Sequence, residues 1–350
     1  MKKGRTTVYN RITSPAKLKQ VNEENLLLED DYLSYLSSID KAESTIKQYK
    51  ANLHVFWCWN LEFNNNKFFV DLTKREVSRF QNHALKEWRW SPKRIRTVKA
   101  TLSSLSNYIE EMLDDDYKNY KPIINKIQSP ADEPVREKTI MNMEDVQWLL
   151  DKLVEREDYM RACMLALAIF SGKRKAELPQ FKVSYFDDKN LICGGALYKT
   201  PEKIRSKGRG SKGKMIDVYI LAKPFKPYLD LWMEQRKILE IESEWLFPDY
   251  EHGEWYDSIP IPLTTMESWA EIFNNILEER GKCFYFHAAR HFFTTYLLEQ
   301  NLPENIVQNI QQWSSSDMVR IYDDRSTESQ LEQYFTSDGI VVERKGLNDL

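Results

Sequence analysis

The chain has 350 residues, 42% of them hydrophobic and 13% aromatic, with a formal net charge of -3. That length most readily accommodates two domains, and that apolar content excludes global disorder. A nearly balanced charge gives no overall pull toward polyanions, so a nucleic-acid role rests on where the basic residues fall.

Cys58, Cys163, Cys193 and Cys283 are widely spaced and form no CxxC pair, which points to reduced thiols and to neither a zinc site nor a disulfide framework. Without a signal-peptide core or an apolar run of about 18 residues, the expected location is the cytoplasm, with no membrane partner.

Residues 1–22 carry Lys2, Lys3, Arg5, Arg11, Lys17 and Lys19 and no acidic residue until Glu23. This reads as a basic tail, either simply solvated or tracking DNA phosphates. Residues 23–120 read as a helical domain. Leu26, Leu28, Tyr32, Leu33 and Leu36 mark one helix; Ile46, Tyr49, Leu53 and Phe56 mark a second that begins near Ser44. Thr73 and Glu76 form a capping box for a third, with Val77, Phe80 and Leu85 behind it. Ser91-Pro92 starts a fourth, whose stripe is Ile95, Val98, Leu102, Leu105 and Ile109. Lys93, Arg94, Arg96 and Lys99 crowd its first turns, where positive charge opposes the helix dipole, so they are candidate DNA contacts.

Residues 121–138, with three prolines and no sustained period, read as an interdomain linker. A second domain is expected over 139–325. Thr139 or Asn142 can cap a helix carrying Val146, Leu149 and Leu150. Tyr159 to Phe170 is apolar nearly all round, as a central helix should be, and stops at Ser171-Gly172. Phe181 to Phe186, Asn190 to Tyr198 and MIDVYIL look like strands. Between Lys199 and Lys214 lie seven basic residues against one Glu, with three glycines, which suggests a phosphate-facing hairpin with Arg205, Arg209 and Lys212 as DNA contacts. Helices resume at Pro227 to Ile241 and Thr265 to Glu279, separated by a proline-rich loop that holds His252. The expected fold class is therefore mainly α with a small antiparallel β-sheet, an α+β arrangement.

The stretch FHAARHFFTTYLLEQNLPENIVQNIQQWSSSDMVRIY carries the parts for phosphate chemistry. Arg290 offers a forked guanidinium, His287 an imidazole that can trade a proton near neutral pH, and Tyr322 a phenol that can attack phosphorus. Residues 326–350 read as a tail in which Ser326 to Phe335 forms a short amphipathic helix.

GKRKAELPQF resembles the first catalytic box of the tyrosine recombinases, with Arg174 as the box arginine and Glu177 as an orienting residue. HAARH resembles the second, with His287, Arg290 and a supporting His291. WSSSDMVRIY is similar to the closing segment, in which Trp313 precedes the nucleophilic Tyr322 by nine residues. The basic hairpin resembles the one that carries the catalytic lysine, best matched at Lys207, with Lys199 and Lys203 as alternatives. Gln312 departs from the family's common glycine, and Asp323-Asp324 follow the tyrosine, which suggests that this segment moves before attack.

The resemblance implies a two-domain DNA clamp whose N-terminal part is the family's core-binding, SAM-like domain. It implies a site-specific recombinase that cuts and rejoins double-stranded DNA through a 3′-phosphotyrosyl bond and a Holliday junction, without metal, ATP or other cofactor. Homotetramers on the recombination sites are implied, with the C-terminal helix docking on a neighbouring protomer and room for accessory DNA-bending proteins. An integrase or transposon recombinase of a mobile element, encoded by a bacterium or phage, is the favoured role. Xer-type chromosome-dimer resolution, a type IB topoisomerase and a non-catalytic DNA-binding protein are the alternatives.

Overall fold

The computed structural model describes residues 11–131, 141–208, 210, 212–326, 331, 335–336 and 339–340. The chain divides into two compact units, with the main boundary between Glu137 and Lys138.

The first unit is helical: α1 (Pro15–Leu18), α2 (Glu23–Ser38), α3 (Glu43–Phe63), α4 (Lys74–Lys86) and α5 (Pro92–Met112). Side-chain caps start all of them but α3. The Asn22 side chain accepts from the Glu24 N–H, Thr73 and Glu76 form a reciprocal capping box, and Ser91 accepts from the Arg94 N–H one residue before Pro92. Phe56, Phe80 and Trp59 interlock at the centre, with Phe80 ring centroids 5.0 Å from Phe56 and 5.2 Å from Trp59, both edge-on. A buried carboxylate, Glu29, accepts from the Trp57 indole at 2.7 Å.

Residues 11–22 are more ordered than a solvated tail. Ile12 and Val21 are buried in this core, and Lys17 pairs with Glu62 while donating to the Ile12 carbonyl. Two apolar residues flanking a capped helical turn are enough to bring the segment down onto α3.

In the second unit, α6 (Met143–Glu155) opens on the Asn142–Asp145 capping box and packs on α7 (Tyr159–Ser171), which is buried on almost every side. Short strands follow: β1 (Leu191–Ile192), β2 (Leu197–Lys199), β3 (Ile204–Ser206), β4 (Lys214–Ile216) and β5 (Tyr219–Leu221). They pair as an antiparallel sheet of order β1-β2-β5 and a separate β3–β4 hairpin, with Tyr198 opposite Ile220 and Ile204 opposite Ile216. Then come α8 (Ala222–Ile238), the hairpin β6 (Pro248–Glu251) and β7 (Glu254–Pro260), α9 (Leu263–Leu277), α10 (Phe286–Glu299), α11 (Glu304–Gln311) and α12 (Asp317–Tyr322). A last hairpin pairs β8 (Phe335–Thr336) with β9 (Gly339–Ile340).

Several elements differ from expectation. Val183–Phe186 is a 3-10 turn, because Phe181, Tyr185 and Phe186 all face the core, a spacing that alternation cannot satisfy. The proline-rich loop holds the β6–β7 hairpin, turned by His252 and Gly253 at φ 55° and 89°, the positive pair that suits a two-residue hairpin turn. Pro227 sits inside α8 rather than at its start. The expected helix from Ser326 to Phe335 falls largely outside the described residues, and Phe335 itself lies in β8. None of the described helices is long and apolar enough to cross a membrane.

Two substitutions grade these forces. Thr73→Ala removes one cap and should destabilise the first unit by about 1 kcal/mol. Phe80→Ala empties a fully buried aromatic site and should cost roughly 3–5 kcal/mol. Urea unfolding followed by tryptophan fluorescence checks both, and an equal effect of the two would contradict this description of the core.

Candidate active site

The site grows from the end of α7. Gly172 stops that helix in the left-handed region at φ 63°, where a Cβ would lie 2.3 Å from the Gln311 side chain and 2.5 Å from Phe293. Only glycine allows the α7 terminus to approach α10 and α11 this closely. The chain then turns so that the Arg174 N–H and Nη1 both donate to Glu177, at 2.9 and 3.1 Å.

Glu177 is buried and is the hub of this corner. Besides Arg174 it accepts from the hydroxyl of Ser206, which in turn accepts from Arg174 Nη1 at 3.1 Å. Burial would raise the Glu177 pKa. The Ser206 hydroxyl, the Arg174 N–H and the charges of Lys173 and Arg174 outweigh it and hold the carboxyl below its ordinary value. Ser206 ends β3, so the hairpin reaches the site here, and Lys207 follows one residue later with an exposed side chain. Lys199 lies instead in the three-stranded sheet, 4.0 Å from Asp217, and Lys203 is exposed just before β3.

Helix α10 brings His287, Arg290 and His291. Arg290 is fully buried and donates to the Gly172 carbonyl at 3.0 Å and, at the long distance of 3.5 Å, to the Gln311 carbonyl. Its guanidinium lies over the rings of Trp313 and Tyr322, 4.8 and 5.5 Å from their centroids. Burial and then the Arg174 charge lower its pKa to about 10, which leaves it a cation at neutral pH.

Trp313 and Tyr322 are stacked at 5.0 Å with 19° between planes, and the Tyr322 hydroxyl lies 3.1 Å from His287 Nε2. Burial, then His291, Arg290 and Arg174, lower the His287 pKa to about 4, and because the residue keeps an exposed surface, water tempers the effect. A neutral imidazole can accept the phenolic proton, so the hydroxyl is the donor. Among the described residues, the buried donors Trp313 Nε1, Arg290 Nε and Gln311 Nε2 have no hydrogen-bond partner.

The departures noted in the sequence have local explanations. Gln312 adopts φ 56° where glycine is easier, and its carbonyl accepts from Lys214 Nζ at 3.0 Å. Asp324 lies 2.9 Å from His291 and Asp323 pairs with Arg325 at 2.9 Å, so each acid has a partner of its own beside Tyr322.

The basic cluster on α5 requires a correction. Lys99 is buried, and its ammonium donates to Gln81, the Ile127 carbonyl and Ser129, at 3.1, 2.6 and 3.0 Å, so it anchors the start of the linker and is not placed to meet phosphate. Arg96 donates to the Pro130 carbonyl at 2.7 Å, and Arg94 to Asn52 at 2.8 Å while lying over Trp90. Lys93 is exposed, as are Arg205 and Lys212, and Arg209 lies outside the described residues. Sequence reading missed Lys173, Ser206, Gln311 and Lys214. They are polar residues whose burial or contact with α11 no local pattern signals.

Comparison with known proteins identifies the family. The model of the phage integrase family matches residues 139–329, and that of the phage integrase N-terminal SAM-like domain matches 28–119. The chain is 32% identical over 286 residues to the SPbeta prophage-derived recombinase-like protein YomM of Bacillus subtilis (strain 168), covering 80% of each. It is 26% identical over 310 residues to tyrosine recombinase XerD of Listeria innocua, covering 84% of this chain and 92% of that one. In fold it is similar to a lambda integrase solved as a tetramer bound to a Holliday junction, with TM-score 0.60 and 15% identity over 85% of this chain and 76% of that chain. The chain belongs to the phage integrase family, the tyrosine recombinases that exchange DNA strands at specific sites.

Proposed function

We propose that Tyr322 is the nucleophile of this recombinase and that the residues gathered around it divide the work of one phosphoryl transfer. The observation that carries this reading is the Tyr322 hydroxyl 3.1 Å from His287 Nε2, beside a buried Arg290. The phenolic oxygen attacks the scissile phosphorus and forms a 3′-phosphotyrosyl bond. The bond to the 5′-oxygen breaks, and religation to another 5′-hydroxyl reverses the step.

His287 Nε2 takes the phenolic proton. Lys207, one residue past the Ser206 hydroxyl that meets Arg174, protonates the departing 5′-oxygen. Arg174 and Arg290 face the non-bridging oxygens, where charge grows in the transition state. The indole N–H of Trp313, buried without an acceptor among the described residues, donates to one of those oxygens. It replaces a histidine's hydrogen bond, not its proton exchange.

Double-stranded DNA is the substrate, and a homotetramer is the exchanging assembly. The similar lambda integrase was solved as a tetramer on a Holliday junction, which supports this. The 32% identity to a prophage-derived protein, against 26% to XerD, favours recombination of a mobile element over chromosome-dimer resolution.

A randomised library of nicked duplexes, incubated with the protein and passed through denaturing capture, tests the reaction and selects the site in one experiment. The wild type should retain DNA covalently, and sequencing the retained duplexes gives the site. Tyr322→Phe should bind the recovered duplex and retain none; an unchanged covalent yield would refute the nucleophile assignment. The pH dependence follows from His287, whose lowered pKa means that it accepts a proton only above about 4. Capture should therefore be lost as pH falls toward that value, with His287→Asn slow throughout, and a loss already complete at pH 6 would contradict this assignment.

A further inference from the structure

Lys173, next to the first-box arginine, is fully buried. Among the described residues its ammonium has one hydrogen-bond acceptor, the Ile310 carbonyl at 3.3 Å. Three donors with one long bond is a poor return for removing a charge from water. Its charged neighbours are Arg290 on α10 and Arg174 and Glu177 on the turn after α7, two cations against one carboxylate. Packing alone would be better served by a methionine, which matches the lysine in length and carries no charge.

What the ammonium touches is informative. Ile310, Gln311 and Gln312 are the last residues of α11 and its cap, and their three carbonyls accept from Lys173, Arg290 and Lys214 respectively. These groups carry the negative end of the helix dipole, and the two carbonyls before them are closed by the backbone N–H groups of Gln312 and Trp313. Trp313 follows at once, stacked on Tyr322. A shift of the α11 terminus therefore moves the indole and the phenol together.

We propose that Lys173 is a positioning residue for strand cleavage: as a buried cation on the Ile310 carbonyl it fixes the end of α11, and through it Trp313 and Tyr322, relative to Arg174 and Arg290. It touches neither substrate nor reacting atom. The proposal rests on the phosphoryl-transfer reading above and adds to it a requirement for charge at this position. Burial and then the Arg290 charge, offset in part by Glu177, lower the Lys173 pKa to about 7. A bound phosphate would join Glu177 in favouring the cation, so loss of the charge on DNA is displaced upward from that value.

The test compares wild type with Lys173→Met in the full chain, on the duplex recovered by covalent capture, from about pH 6 to about pH 9. Because both proteins share Tyr322 and His287, the ratio of their capture rates isolates Lys173. Lys173→Met should be roughly ten- to a hundredfold slower at the acid end, and the ratio should shrink toward one as pH rises and the wild type loses its charge. Equal rates throughout, or a deficit constant at every pH as a packing role would give, would overturn the proposal.

Stability supplies a readout that needs no DNA. The folded-state pKa lies below the unfolded value of about 10.4, so the unfolded chain binds more protons between the two. Wild-type stability then rises with pH across that window. Lys173→Met should raise the urea midpoint at pH 6 and lack that rise; a lower midpoint there would overturn the proposal. Failure of the wild type to be captured at all would instead overturn the phosphoryl-transfer reading, and this inference with it.

Discussion

The second unit is organised around one short helix terminus. The last carbonyls of α11 meet cations from three different places, the turn after α7, helix α10 and strand β4. Each contact is modest, and the Arg290 bond to Gln311 is long. Together they fix the direction in which the chain leaves α11, and that direction sets Trp313 against Tyr322. Gly172 is the other half of the constraint, because its missing side chain lets α7 come close enough for Arg290 to reach its carbonyl.

Such a site is costly to build. Arg290 and Lys173 are fully buried, with Arg174 half-exposed nearby, and Glu177 is the acidic group that interacts with all three. Desolvation first, and then mutual repulsion, lower the pKa values of Arg290, Lys173 and His287 in common. An anion arriving between these groups would relieve a repulsion that already exists, as preorganised donors do and a patch of surface lysines does not. Burial and then the same field lower the His287 pKa, which favours the neutral form that can accept a proton.

Much of this was legible in the sequence, for identifiable reasons. Helices with a cap and a clean apolar stripe, such as those begun by Thr73 and Ser91, are set by local hydrogen bonds and periodicity. The spacing of Arg174, His287, Arg290, Trp313 and Tyr322 identified the family, and folding does bring these side chains into one cluster. Lys99 shows how a pattern misleads. Read as a charge run it suggests a DNA-binding face, yet its spacing from Ile95 and Leu102 puts it on the buried stripe, where it ties down the linker. The β6–β7 hairpin was hidden by prolines at its ends and an unusual His-Gly turn. Lys173 was hidden by its company, since Lys-Arg-Lys after a glycine reads as a solvated turn and nothing local reveals that its first member is enclosed by α10 and α11.

The central claim is that a single phenolic oxygen becomes covalently joined to DNA. Nuclease and protease digestion of captured complexes, followed by peptide mass spectrometry, measures this most directly. The account predicts a nucleotide adduct on the peptide containing Tyr322, attached through the 3′-phosphate and leaving a free 5′-hydroxyl on the other strand end. An adduct on any other residue, or one attached through a 5′-phosphate, would contradict it.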